Sequence, residues 1–117
     1  MAYVDGFLIA VPRKKMQSYV KMAREGKKLW MKLGALDYKE CVADDLEAKW
    51  GTTSFAKVMK LKPGETLVFS YIVYRSRAHR DRVNAKVMKQ MPAQPTDMPF
   101  AMKRMSYGGF KAIVGSP

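Results

Sequence analysis

The 117-residue chain is 48% hydrophobic and 27% charged, with a net charge of +12. That apolar share supports a single folded domain over residues 1–117 and excludes a disordered chain, and no apolar run reaches the roughly 20 residues that cross a bilayer. A single cysteine, Cys41, excludes an internal disulfide and fits a reducing, cytoplasmic setting.

Residues 3–11 (YVDGFLIAV) are β-branched and aromatic and Pro12 closes the run, so they are expected as a strand rather than a signal peptide. From Arg13 the period changes. Met16, Tyr19, Val20, Ala23, Trp30 and Leu33 recur at three- and four-residue steps, which predicts a helix stopped at Gly34. Residues 36–43 (LDYKECVA) alternate as a second strand and residues 44–54 read as a loop. "FAKVMKL" is open between loop and short helix, ahead of a Pro63-Gly64 turn. Residues 66–74 (TLVFSYIVY) are apolar on both faces, the pattern of a strand covered on both sides. Ser76 is placed to cap a helix running to about Met91, with Val83, Val87 and Met91 along its stripe. "PAQPTDMPFA" reads as a loop and "YGGFKAIV" (107–114) as the last strand.

The order βαββαβ predicts an α+β, ferredoxin-like fold, a four-stranded antiparallel sheet with both helices on one face. The other sheet face is apolar too and needs a cover, which a second copy of the chain supplies economically.

The excess charge is confined to the helices. Residues 13–33 carry eight Lys/Arg against one acid and residues 75–91 carry six against one, leaving the remainder balanced. Such a layer attracts nucleic acid or an acidic partner without reading bases. The plainer reading is solubility. "RSRAHRDR" (75–82) raises a related question, because a helix N-terminus prefers acids. Either the first turn is simply solvated, or an anion from a ligand or a distant acidic side chain offsets Arg77, His79 and Arg80. Arg75, Arg77 and His79 are therefore the candidate anion-binding residues.

One histidine and one cysteine cannot assemble a zinc site of normal type, so no metal is expected. No glycine-rich phosphate loop appears, and no cofactor is implied. "LVFSYIVY" (67–74) places Phe69, Tyr71 and Tyr74 at the aromatic positions of an RNA-recognition octamer, but Leu67 and Val68 stand where its Lys/Arg-Gly belongs. Asp5 shares a strand face with Tyr3, Phe7 and Ile9, and a carboxylate in that company is a candidate base. Tyr71 and Tyr107 are candidate acids or hydrogen-bonding groups. The ten methionines read as core more than as pocket lining.

"YVDGF", "GAL", "PGETLVFSYIVY", "SRAHRDRVNAKVM", "MPF" and "KRMSYGGF" fall in order along the chain and resemble the YbaA-like family. The resemblance implies a ferredoxin-like fold in the dimeric α/β-barrel superfamily, where two sheets pair face to face. It brings no agreed catalytic residues. The wider superfamily includes cofactor-free monooxygenases, haem-degrading enzymes and lactone isomerases. The family pattern commonly places an acid after "MPF", where this chain has Ala101. The combined expectation is a small cytoplasmic homodimer enclosing a pocket for a small organic molecule, with proton transfer or cofactor-free oxidation as its chemistry. The alternative is a nucleic-acid or acidic-partner binding module built on the basic helices.

Overall fold

The alternation along the first strand becomes β1 (Tyr3–Pro12), in a computed structural model that describes residues 2–91 and 97–116. Its odd-numbered side chains, Tyr3, Phe7, Ile9 and Val11, pack into the core beneath the helices. The other strands are β2 (Asp37–Val42), β3 (Glu65–Tyr74) and β4 (Met105–Lys111), in the order β2-β3-β1-β4 with every neighbour antiparallel. Two long helices, α1 (Met16–Lys32) and α3 (Arg77–Gln90), cover one face, giving the ferredoxin-like α+β slab of 39 × 38 × 20 Å. The ambiguous "FAKVMKL" contains a single helical turn, α2 (Phe55–Val58), whose Ser54 side chain accepts from the Lys57 N–H. β4 starts earlier than expected, at Met105, because Met105 and Ser106 continue the ladder opposite Ile9 and Leu8. Of the proline-rich loop, residues 92–96 lie outside the described residues. No described helix is long and apolar enough to cross a membrane.

The helix ends follow local chemistry. Gly34 adopts φ +121°, closed to ordinary side chains, and the Ala35 N–H reaches back to the Trp30 carbonyl at 3.0 Å. Ser76 caps α3, its hydroxyl accepting from the His79 N–H at 3.1 Å.

Between sheet and helices the core is divided. One buried cluster gathers Tyr3, Ala35, Ile72, Tyr74, Val83 and Val87; the other gathers Ile9, Val11, Tyr19, Ala23, Val68 and Phe100. Phe7 packs against both. The middle, where Asp5, Ser70, Glu40 and Asn84 sit, is left polar and partly empty. On the opposite sheet face Val4, Leu8, Phe69, Tyr71, Val73 and Phe110 form an apolar surface, with Phe69 43% and Phe110 62% exposed. This is the face whose alternation called for a cover.

Candidate functional site

Strand register decides which residues meet. β1 places Asp5 opposite Ile72 on one side and Gly109 on the other, and Phe7 opposite Tyr107. Asp5 and Tyr107 therefore share the helix side of the sheet. Tyr107 stacks at 5.0 Å on Phe7, and its hydroxyl donates to Asp5 Oδ1 at 3.2 Å. Gly109 has no side chain where the Tyr3 hydroxyl now lies, so the glycine admits the tyrosine.

The cation that completes the group comes from α3. Arg80 extends under the helix with its side chain 12% exposed, and Nη1 donates to Asp5 Oδ1 at 3.0 Å and to the Tyr107 hydroxyl. Nε donates to Asp81 at 2.8 Å, and the guanidinium lies 5.0 Å from the centre of the Tyr3 ring. One turn further on, Asn84 Oδ1 accepts from Trp30 Nε1 at 3.1 Å and from the Tyr74 hydroxyl at 3.2 Å. With its oxygen engaged twice, the amide of Asn84 is left to donate.

Asp5 is 1% exposed. Burial holds its carboxyl above the usual carboxylate range, against the pull of Arg80 and of the hydrogen bond from Tyr107. Burial also raises the Tyr107 phenol, and the neighbouring Asp5 carboxylate adds to the effect. The group brings a buried carboxyl, a phenol and a guanidinium within hydrogen-bonding reach of one another, the kinds of side chain that general acid–base chemistry uses.

It opens into a cleft of about 630 Å³ between the sheet and the helix layer. Phe7, Ile9, Trp30, Tyr38 and Phe100 form its aromatic and aliphatic walls; Met88, Met91, Met98, Met102 and Met105 line the rest. Half of the ten methionines thus serve the cleft, not the core alone. At its far end Glu40 accepts from the Tyr19 hydroxyl at 2.7 Å and from the Tyr38 hydroxyl at 2.8 Å. Burial pushes both phenols well above their ordinary range, with Glu40 reinforcing it.

Not every candidate from the sequence arrives here. Asp5 and Tyr107 meet. Tyr71 points to the opposite sheet face, beside Phe69 at 6.2 Å between ring centres. The anion clamp does not assemble. His79 is 5% exposed; its Nδ1 accepts from the Arg75 N–H at 2.9 Å and its ring lies close to Gly34, so it packs between the end of β3, α3 and the end of α1. Arg75 and Arg77 are exposed. The offset for the basic helix start is an acidic side chain, Asp5, acting on Arg80. Arg80, Asn84, Tyr3 and Glu40 are the residues sequence reasoning missed. The available signal was spacing: Arg80 and Asn84 lie four apart, flanking the Val83–Val87 stripe, and Asp5 in an apolar strand demands a cation. Among the described residues no three His, Cys, Asp or Glu side chains group as metal ligands.

Residues 2–102 match the family described as "Protein of unknown function (DUF1428)". The chain is 42% identical to "Uncharacterized protein YbaA" of Escherichia coli K12, covering 97% of this chain and 98% of that protein. The YbaA protein of Shigella flexneri matches to the same extent. Among solved structures, a dimeric ferredoxin-like protein from an uncultured marine organism superposes with a TM-score of 0.61 at 11% identity, covering 99% of this chain and 100% of that one. At that identity the likeness concerns the fold.

Proposed function

The chain belongs to the DUF1428 family, and from the geometry of its cleft we propose that it binds a small, largely apolar organic molecule whose single polar head sits against Asp5 and Tyr107. The observation that carries this reading is a buried carboxylate, bonded to Tyr107 and paired with Arg80, facing a methionine-walled cleft that the described residues leave unfilled. Protein interiors are close-packed, and an ion pair that served stability alone would need no 630 Å³ space beside it. The volume falls in the range of small-molecule sites, and methionines adapt to irregular apolar shapes.

Arg80 already balances Asp5, so a neutral hydroxyl or enol suits the site better than a free anion. Asp5 is placed to take that hydroxyl's proton, and Arg80 and Tyr107 to hold the oxygen as negative charge develops. The chemistry that follows is proton transfer, with oxidation of the resulting anion by dioxygen as an extension.

A second copy of the chain covers the apolar sheet face around Phe69 and Tyr71, making the working unit a homodimer. This reading draws on the exposure of that face and leaves both clefts on the outer, helix side of the paired sheets. A cytoplasmic setting belongs to the same reading, since exposed Cys41 suits a reducing compartment.

The test is titration with naphthols and enolisable ketones, followed by tryptophan fluorescence from Trp30 in the cleft wall. Tyr107→Phe should weaken binding and Ser70→Phe, which fills the floor, should abolish it. Binding unchanged in both variants would place the ligand elsewhere.

A further inference from the structure

We propose that the outer surface of α1 and α3 binds double-stranded nucleic acid through its phosphates. All eight Lys/Arg between residues 13 and 32 are exposed, as are five of the six between residues 75 and 89, Arg80 being the exception. Two acids lie among them. Asp81 is engaged by Arg80, and Glu25 reaches Lys28 only at 3.6 Å across two exposed side chains.

The two helices present one surface. They lie side by side on the same sheet face, joined by the 3.1 Å bond from Trp30 to Asn84. On α1, Lys21, Lys28 and Lys32 lie opposite the buried Tyr19 and Ala23; on α3, Arg82 and Lys89 lie away from the buried His79, Val83 and Val87. Like charges four apart, such as Arg24 with Lys28 and Arg82 with Lys86, repel and weaken each helix. Solubility alone does not call for this. A net charge of magnitude about 2–8, spread anywhere, suffices for a small domain, whereas here thirteen exposed cations against two acids fall within residues 13–33 and 75–91 while the rest of the chain is balanced.

Surface chemistry selects the partner. The large apolar side chains exposed on α1 and α3 are Val20, Met31 and Met88, with no exposed phenylalanine, tyrosine or tryptophan. Single-strand binders stack bases on aromatics, and helices that lie in a membrane surface insert Trp, Phe or Leu. Neither device is present. What remains is a cationic layer of two helices, about 26 Å and about 21 Å long at about 1.5 Å per residue, which can follow phosphates over part of one duplex turn of about 34 Å. Recognition by phosphates alone is indifferent to sequence.

The experiment is fluorescence anisotropy of the full chain with a labelled 20-base-pair DNA duplex, the equivalent RNA duplex, the single strand, and vesicles containing phosphatidylserine, across a salt series. The expected result is duplex binding, of DNA or RNA alike, that is tighter than binding to single strands or vesicles. With about five phosphates neutralised, log K should fall against log salt with a slope of about −4 to −5. Lys21→Glu, Lys28→Glu, Arg82→Glu and Lys89→Glu combined should lower affinity at least tenfold, and the same four changes to Gln, which keep the fold under less strain, should flatten the salt slope. Ser70→Phe should leave duplex binding intact, separating this surface from the cleft. No duplex binding at 50 mM salt, equal affinity in the Gln variant, or preference for the vesicles would overturn the proposal.

Discussion

Asp5 and Arg80 stand 75 positions apart in the chain and meet at 3.0 Å, with the carboxylate 1% exposed. Each has a partner the other cannot replace: Tyr107 for the acid, the Tyr3 ring for the cation. Taking one charge away leaves the other buried and uncompensated. Arg80→Met should therefore cost about 3–5 kcal/mol of unfolding free energy. Asp5→Leu combined with Arg80→Met should recover a large part of that loss. Urea denaturation of the two variants measures both, and an additive double variant would mean the pair is not coupled.

Tyr107→Phe is a milder change. The residue is half exposed and its hydroxyl makes a net contribution of about 0.5–1.5 kcal/mol at most, while Arg80 continues to hold Asp5. Stability should fall by no more than that. Ligand binding should fall further, since Tyr107 lines the cleft and its hydroxyl is one of the two groups proposed to hold the ligand's polar head.

Burial lowers the His79 imidazole below its ordinary value of 6.5, and Arg75, Arg82 and Lys86 on and before α3 reinforce it. The unfolded chain then binds the proton more readily than the folded one, so stability is full above pH 6.5 and drains away as pH falls through the folded value. Asp5 acts with the opposite sign: its raised carboxyl makes stability fall as pH rises from 3.8 through the folded value. Chemical denaturation between pH 8 and 5 should show the histidine contribution as stability lost toward acid, and His79→Gln should remove that contribution. A wild-type profile that stays flat across that window would contradict the assignment.

Gly109→Ala places a methyl group against the Tyr3 hydroxyl, in the edge strand β4 where it pairs with β1. The expected loss is about 1–3 kcal/mol, the usual cost of overpacking. Adding Tyr3→Phe removes the oxygen it strikes and should restore part of the loss, a coupling that a double-mutant cycle reads directly. Equal losses with and without the Tyr3 change would show that the ring, not the hydroxyl, is the obstacle.

Phe69→Lys tests the apolar sheet face. A charged side chain there is harmless to a monomer, because Phe69 is 43% exposed, and disruptive to paired sheets. Light scattering should report a dimer for the natural chain and half that mass for the variant.

The architecture was legible because two periodicities carry it. Alternation marks residues 3–11 and 66–74, and the three-to-four step from Met16 to Leu33 can only be a helix. β4 was displaced because a strand's ends are set by its neighbour, here Ile9 and Leu8, which local sequence does not name. The site was half legible for a related reason. Alternation sorts residues within one strand, and so grouped Asp5 with Tyr3 and Phe7. It does not say which half of β3 shares that side. Only the pairing of Asp5 with Ile72 sends Tyr71 to the far face. Arg80 stays open between solvent and a distant acid in the sequence, and only the partner 75 positions away decides it.

The divided core has a consequence for how this protein is best interrogated. A domain whose two apolar clusters are bridged chiefly by Phe7 lacks the packing that a filled middle would supply. Any molecule that occupies the cleft acts as the missing piece of the interior, and by mass action a ligand at 100 times its Kd adds about 2.7 kcal/mol to stability. Melting temperature thereby becomes a readout of occupancy that needs no knowledge of the reaction, and an extract from growing cells can be fractionated against it. If the proposed ligand exists, the same coupling would make the amount of folded protein in a cell follow its supply, because the empty form is the one that unfolds and is degraded.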